Sequence, residues 1–431
     1  MTTKPEQSAA LDERARTVAG AVDGDALWQD LETLAGFGPR SDGGVCRLAL
    51  DDNDIAAREW LAAQATALGA EPGVDAAGNV FLCRPGSDPE AAPVLIGSHL
   101  DSQPTGGRYD GSYGVLAGVA VLRALANTGV QTRHPVAVVS WTNEEGVRFA
   151  PGTSGAACFA GARTLEATRE LSDSDGVTFG EALDACLEPM DRAGAQRWLL
   201  GTPAAAFVEP HIEQGPILER GGHSTGVVSG VQGSRWFRFR VQGRAAHAGT
   251  TPRAARRDAL EGACTLIAEL RATCHDSSDQ LRFTVGRLDV TPGAINTVPE
   301  AVVFTVDLRH PETPTLDAIE QDMRSLAHAE WAGCPVVMET ISSLDPVAFD
   351  GAVTSALAQA GESLGLASPE MISGAFHDAV HLAGHCPTGM LFIPCKDGVS
   401  HHPDESIEPR DALAGARLLA ATAVHLALGQ R

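Results

Sequence analysis

The sequence predicts an α/β protein with a smaller α+β unit inserted into it, and three observations carry that prediction. Apolar strands alternate with a helix in the first half: PVLIGS (93–98), then VLAGVAVLRALANTG, then PVAVVSWT (135–142). Strands that read as unbroken apolar runs are buried on both faces, as in a sheet covered by helices. From about residue 227 the texture changes to the alternating VVSGVQGSRWFRFRVQGRA, and after about residue 341 it returns to long helices around the apolar strand GMLFIPC. At 431 residues the chain exceeds what one hydrophobic core supports. The expected division is therefore 1–226 and 342–431 as two parts of one large domain, with 227–341 between them.

The elements follow in order. Helical patterns open the chain in DGDALWQDLETLAGFG and DNDIAAREWLAAQATALG, the second stopped by Gly69 and followed by the strand-like GNVFLCRPG. AAFVEPHIEQG supplies another strand before the insert. Within the insert come a helix (RDALEGACTLIAELRATC), two strands (LRFTVGRLDV and AVVFTVDLRH) and a helix to about residue 330. PVVMETISSLDPVAFD then leads back to the first domain. No internal repeat or low-complexity segment is evident.

Composition narrows the function. The chain is 44% hydrophobic and 20% charged, with 46 Gly and 25 Pro, the profile of a globular protein. A formal charge of −23 argues against nucleic acid and anionic lipid as partners, since both require basic surfaces. The start, MTTKPEQSAALDERARTV, lacks the apolar core of a secretory signal, and no apolar run approaches the roughly 20 residues of a spanning helix. Nine cysteines without a CxxC pair favour reduced thiols and a cytoplasmic setting.

Chemistry-bearing residues gather where the buried strands end. PVLIGS runs into His99-Leu100-Asp101, PVAVVSWT into Asn143-Glu144-Glu145, FVEP into His211-Ile212-Glu213, and GMLFIPC leads to Ser400-His401-His402. In α/β sheets, sites form at the carboxyl ends of strands. Imidazoles and carboxylates together suit zinc and its neighbours, and a shared carboxylate bridges two ions about 3.5 to 4 Å apart. Asp110, within the glycine-rich GGRYDGSYG, is the natural bridge, because glycines let the backbone turn and approach. Asp101 is placed to hold the His99 imidazole by a hydrogen bond rather than to ligate. Of the pair Glu144-Glu145, one carboxylate serves a metal and the other takes a proton from water.

The ordered set GSHLDSQPTGGRYDGSYGVLAG, WTNEEGVRFAPGTSGA, PHIEQGPILE, GRAAHAGTTP, GAINTVPE with VDLRH, SGAFHDA and GVSHHPDE resembles the metal-dependent amidohydrolases. That family includes N-carbamoyl-L-amino-acid hydrolases, allantoate amidohydrolases and ureidopropionases, which are relatives of dinuclear zinc exopeptidases. The resemblance runs from about residue 30 to the end. It implies a zinc-exopeptidase-like domain with a mixed, mostly parallel sheet, and a ferredoxin-like insert that serves as dimerisation and lid domain. It also implies that His99 and His211 hold one divalent ion (Zn, Mn, Co or Ni), that Glu145 and His401 hold a second, and that Asp110 bridges both.

By the same resemblance Glu144 is the general base. His247 donates to the transition state from the partner subunit of a homodimer, and Asn296 and Arg309 hold a substrate carboxylate, a task suited to guanidinium. Gln214 and His377 match further pocket positions. The exopeptidase relatives usually have an acid where this chain has His211, which points to the carbamoylase branch. The family spacing Ser-His-x-Pro-x-Glu selects His401 over His402. Two departures bear on the pocket: Arg253 stands where Met is frequent, with a surface orientation the expected one, and Phe376 stands where Gly is frequent, adding an apolar wall or narrowing the site.

The expected reaction is hydrolysis of an N-carbamoyl-L-amino acid to the amino acid, ammonia and carbon dioxide. Allantoate, ureidoglycolate and N-acyl-amino-acid hydrolysis are the alternatives of the same chemistry. A protein that keeps the fold without catalysis is the alternative of another class, and metal content separates the two.

Overall fold

The computed structural model describes residues 4–429, so the outermost residues of the two expected catalytic segments lie outside the described range. Two compact units emerge: Met1–Ser229 with Ala348–Arg431, and Gly230–Val347. Both crossings come a few residues later than the sequence suggested. The reason for the first is local: the strand Gly226–Val231 still hydrogen-bonds the large sheet at Gly226, Val227 and Val228.

The first segment contributes β1 (Glu71–Val74), β2 (Val80–Arg84), β3 (Val94–His99), β4 (Val136–Trp141), β5 (Gln196–Arg197), β6 (Ala206–Ile212) and β7 (Gly226–Val231). Every residue of β3, β4 and β6 is buried, which explains why β3 and β4 read as continuous apolar runs. β6 differs, because AFVEPHI carries a glutamate, a proline and a histidine into the same buried position.

The smaller unit contains β8 (Gly233–Gln242), β9 (Ala246–His247), β10 (Arg282–Thr291), β11 (Thr297–Val298), β12 (Ala301–His310) and β13 (Val336–Leu344), with helices Ala259–Thr273 and Thr313–Ala327. β10, β12, β8 and β13 form one antiparallel sheet in that order. Strand β8 alternates: Phe237, Phe239 and Val241 point into a core with Leu266, Leu270, Leu316 and Met323 from the helices, while Trp236, Arg238 and Arg240 are exposed. Numbering the four long strands by chain position gives the order 4-1-3-2, the ferredoxin-like arrangement. The closing strand β13 lies in the stretch that the sequence treated only as a way out of the insert.

Past the insert come β14 (Val347–Ala348), β15 (Glu370–Ser373) and β16 (Thr388–Ile393). The large sheet runs β14-β7-β16-β6-β3-β4-β2-β1-β5, with β15 also on β7. Its centre is parallel: β16 with β6, β6 with β3, and β3 with β4. β2 and β7 pair antiparallel with β4 and β16, so the sheet is mixed. The four central strands therefore present their carboxyl ends along one edge. β3 pairs with β6 only over Val94–Ile96, after which Pro210, having no N–H to donate, interrupts the ladder and the two strand ends part.

Among the described residues one helix, Pro409–Leu428, is long and apolar enough to cross a membrane by composition, although charged residues interrupt its apolar run. It packs against helices Lys4–Gly20 and Ser112–Thr128 and is largely buried, so its apolar faces serve the core. All nine cysteines are free, and most are buried.

Candidate metal centre

The parallel strand ends bring five predicted side chains together. His99 closes β3, His211 lies on β6, Glu145 follows β4, His401 follows β16, and Asp110 sits in the loop before helix Ser112–Thr128. Asp110 lies between them. Its Oδ1 is 3.1 Å from His211 Nε2 and 3.7 Å from His99 Nε2. Its Oδ2 is 3.2 Å from His401 Nε2, which is 3.6 Å from Glu145 Oε2. The groups His99/Asp110/His211 and Asp110/Glu145/His401 are each compact enough to surround one ion. His402 is exposed and lies beside Asp404 instead.

The imidazoles are set for metal. Nδ1 of His99 lies 2.9 Å from the Asp101 carbonyl, and Nδ1 of His211 lies 3.0 Å from the Ile212 carbonyl. A carbonyl only accepts, so each ring donates from Nδ1, which leaves Nε2, on the side of Asp110, as the atom that would ligate a cation. Among the described residues, His99 Nε2 is buried without a hydrogen-bond partner, as is Glu145 Oε1. Two unpartnered buried ligand atoms beside a carboxylate fit divalent cations well. Glycine makes the approach possible: Gly111 has φ +61, and a Cβ there would overlap the His99 ring. A Cβ at Gly107 would likewise overlap the Glu405 carboxyl. Asn143, Gln214 and His401 take positive φ (58, 55 and 56), strained backbone of the kind found at functional sites.

Asp101 does hold the His99 ring, as expected, but through its backbone carbonyl; its carboxylate Oδ1 lies 3.9 Å away and is free for another task. Its two oxygens accept the N–H groups of Glu144 and Glu145, each at 3.1 Å. Asp101 thus aims the acid pair. Glu144 Oε2 lies 3.4 Å from His99 Nε2.

Burial dominates the electrostatics. It pushes the Glu144 carboxyl well above the usual range, helped by Asp378, Glu145 and Asp101, and pushes Glu145 up to about 8 and Asp101 to about 7. Burial also lowers His99 to about 4. Burial works against Asp110 as well, yet the imidazoles of His211 and His401 hold it well below the carboxylate range. Four acids packed so closely favour added positive charge.

Other predicted residues divide between the units. Gln214 donates from Nε2 to Asp110 Oδ2 at 2.9 Å and to Ser400 Oγ at 3.2 Å, so it belongs to the cluster. His377 is buried, shares a hydrogen bond with Ser373 Oγ, and has its ring 4.6 Å from that of His211. Phe376 packs edge-on against His381 and is 39% exposed. In the smaller unit, His247 on β9 pairs with Thr297 of β11, and Asn296 accepts the Ala248 N–H. Nδ1 of His247 accepts from the N–H groups of Gly249 and Thr250, leaving Nε2 as the donor. Arg309 bonds Asp307 two residues earlier on β12. Arg253 is exposed and paired with Glu261.

Three acids at the site were given no role by the sequence reading. Glu405 accepts the N–H groups of Tyr109 and Asp110 and the Ser400 hydroxyl, bracing both loops that carry Asp110 and His401. Glu209, fully buried, accepts from Ser98 Oγ and the Ala379 N–H, and lies in a compact group with His211 and His377. Asp378 is buried with neither oxygen hydrogen-bonded. An acid in the buried strand FVEPHI was a usable signal for Glu209, because an unpaired buried carboxylate is costly.

The family model for Peptidase family M20/M25/M40 matches residues 95–425. The chain belongs to this family. Among M20 relatives it is 38% identical over 402 residues to the N-carbamoyl-L-amino-acid amidohydrolase of Rhizobium meliloti, spanning 92% of this chain and 95% of that protein. It is 33% identical over 397 residues to the allantoate amidohydrolase of Bacillus subtilis, spanning 90% and 94%. A solved amidase of the hydantoinase/carbamoylase family from Burkholderia multivorans matches with a TM-score of 0.89 at 42% identity, over 95% of this chain and 99% of that one. The M20 chain is thus an enzyme of a hydrolytic, metal-dependent family.

Proposed function

We propose that this M20 enzyme hydrolyses N-carbamoyl-L-amino acids to the amino acid, ammonia and carbon dioxide, with two divalent cations and as a cytoplasmic homodimer. The observation that carries the reading is the two-sided environment of Asp110, with imidazoles at one oxygen and His401 with Glu145 at the other. Relatives named for the carbamoyl reaction at up to 38% identity support the choice of substrate. His99 and His211 would hold one cation, Glu145 and His401 the other, and Asp110 both. Cations so held supply Lewis acidity toward a carbonyl oxygen and toward water.

The chain's own groups do the rest. Glu144, aimed by Asp101, takes a proton from the attacking water and returns it to the leaving nitrogen of the amino acid. The carbamate released with that bond breaks to ammonia and carbon dioxide. His247, supplied across the dimer interface, donates from Nε2 to the oxygen that gains charge. Arg309 and Asn296 bind the substrate carboxylate, while Gln214 and His377 line the pocket around the cations. Phe376 adds an apolar surface beside His377.

The test is a substrate panel on protein reconstituted with Zn, Mn, Co or Ni. N-carbamoyl-L-amino acids are expected to give the highest kcat/KM, with ammonia and free amino acid released in equal amounts. A higher kcat/KM on allantoate, ureidoglycolate or N-acyl amino acids overturns the substrate assignment.

A further inference from the structure

Glu145 is held at two points by the turn that follows β3. Its N–H donates to Asp101, and its carboxylate Oε2 accepts from Gln103 Nε2 at 2.6 Å. Its other oxygen, Oε1, is buried and unpartnered. A glutamate side chain on its own has several rotamers, and ordering one costs conformational entropy. Here the ordering is done before any ligand arrives. Gln103 also suits the task chemically: as a neutral donor it fixes a carboxylate without adding charge beside Asp110, Glu144 and Glu145. The other side of Asp110 is built differently, since His99 and His211 are oriented by the carbonyls of Asp101 and Ile212.

We propose that Gln103 is a positioning residue that presets the Glu145 carboxylate and thereby sets the affinity of one cation site alone, the one shared with His401. The inference rests on the assignment of Glu145 and His401 to one cation made above. Hydrogen-bond partners of metal ligands contribute about 10- to 100-fold to metal affinity. Losing Gln103 should therefore weaken one binding event and spare the other.

Calorimetric titration of the metal-free full chain with zinc or manganese tests this. Wild-type protein is expected to take up two cations. Gln103→Leu, and the near-isosteric Gln103→Met, neither of which can donate, should weaken one event about 10- to 100-fold and leave the other unchanged. In a Glu145→Gln background, which already cripples that site, Gln103→Leu should add nothing. Equal weakening of both events, no weakening, or additive effects of the two substitutions would overturn the role of Gln103 while leaving the two-cation reading intact. A wild-type chain that takes up one cation or none overturns both.

Discussion

Glu144 carries the sharpest consequence at the scale of single residues. Glu144→Gln keeps the size and the backbone bonds to Asp101 but removes the base, so turnover should fall by about 10²- to 10⁴-fold with metal content unchanged. Steady-state assays alongside elemental analysis check this, and substantial activity in the variant would dismiss Glu144 as the base. Gly111→Ala forces a methyl into the His99 ring at a positive φ, so the variant should lose cation affinity even where it folds. Much at this scale was legible. His99 and His211 stand at strand ends, Glu145 and His401 follow strands, and Asp110 lies in a glycine-rich loop, places where polar ligand types announce themselves. The exact use of Asp101 did not, because sequence spacing cannot tell whether a ring meets a carboxylate or the backbone of the same residue. Glu405 entered only as the last residue of the spacing that selects His401; its bracing role was not legible, because its partners Tyr109 and Asp110 lie almost 300 residues away.

At the scale of elements, the site depends on a buried cation that the sequence does not flag. Arg47 is almost fully buried and donates to the carbonyls of Leu34, Phe37 and Leu100 and to Ser112 Oγ. It ties the exit of β3 to the start of helix Ser112–Thr128, the two elements that carry His99 and Asp110. Arg47→Met would leave those acceptors unpaired in the interior, and a loss of about 3 kcal/mol is expected in denaturant unfolding. A change within about 0.5 kcal/mol would mean the guanidinium is not needed there. Buried strands such as β3 and β4 were readable from apolar runs, and β8 and β12 from alternation. β13 was not recognised, because most of VVMETISSL is exposed or half-exposed and its pattern blurs. Helix Pro409–Leu428 was not singled out, since Arg410, Asp411, Arg417 and His425 interrupt its apolar run without breaking its buried face.

For the whole molecule, burial of acids has a cost that pH reveals. Asp75, buried and away from the cluster, is pushed from 3.8 to about 7 mainly by burial. Its folded value exceeds its unfolded one, so its stabilising contribution is full below about 4 and is lost as pH rises through about 7. Wild-type stability, measured against Asp75→Asn by denaturant unfolding, should therefore fall between those limits. A wild-type-minus-variant difference that stays constant or rises with pH contradicts the burial argument. The division into two units was visible as a change of sequence texture, but not to the residue, because β7 continues hydrogen bonding past the apparent boundary.

The central proposal is that Asp110 would be shared by two divalent cations. Native mass spectrometry of metal-reconstituted protein tests it most directly. The account predicts two ions per chain in the wild type and loss of both in Asp110→Asn; a wild type with a single ion, or an Asp110→Asn chain that keeps two, would contradict it.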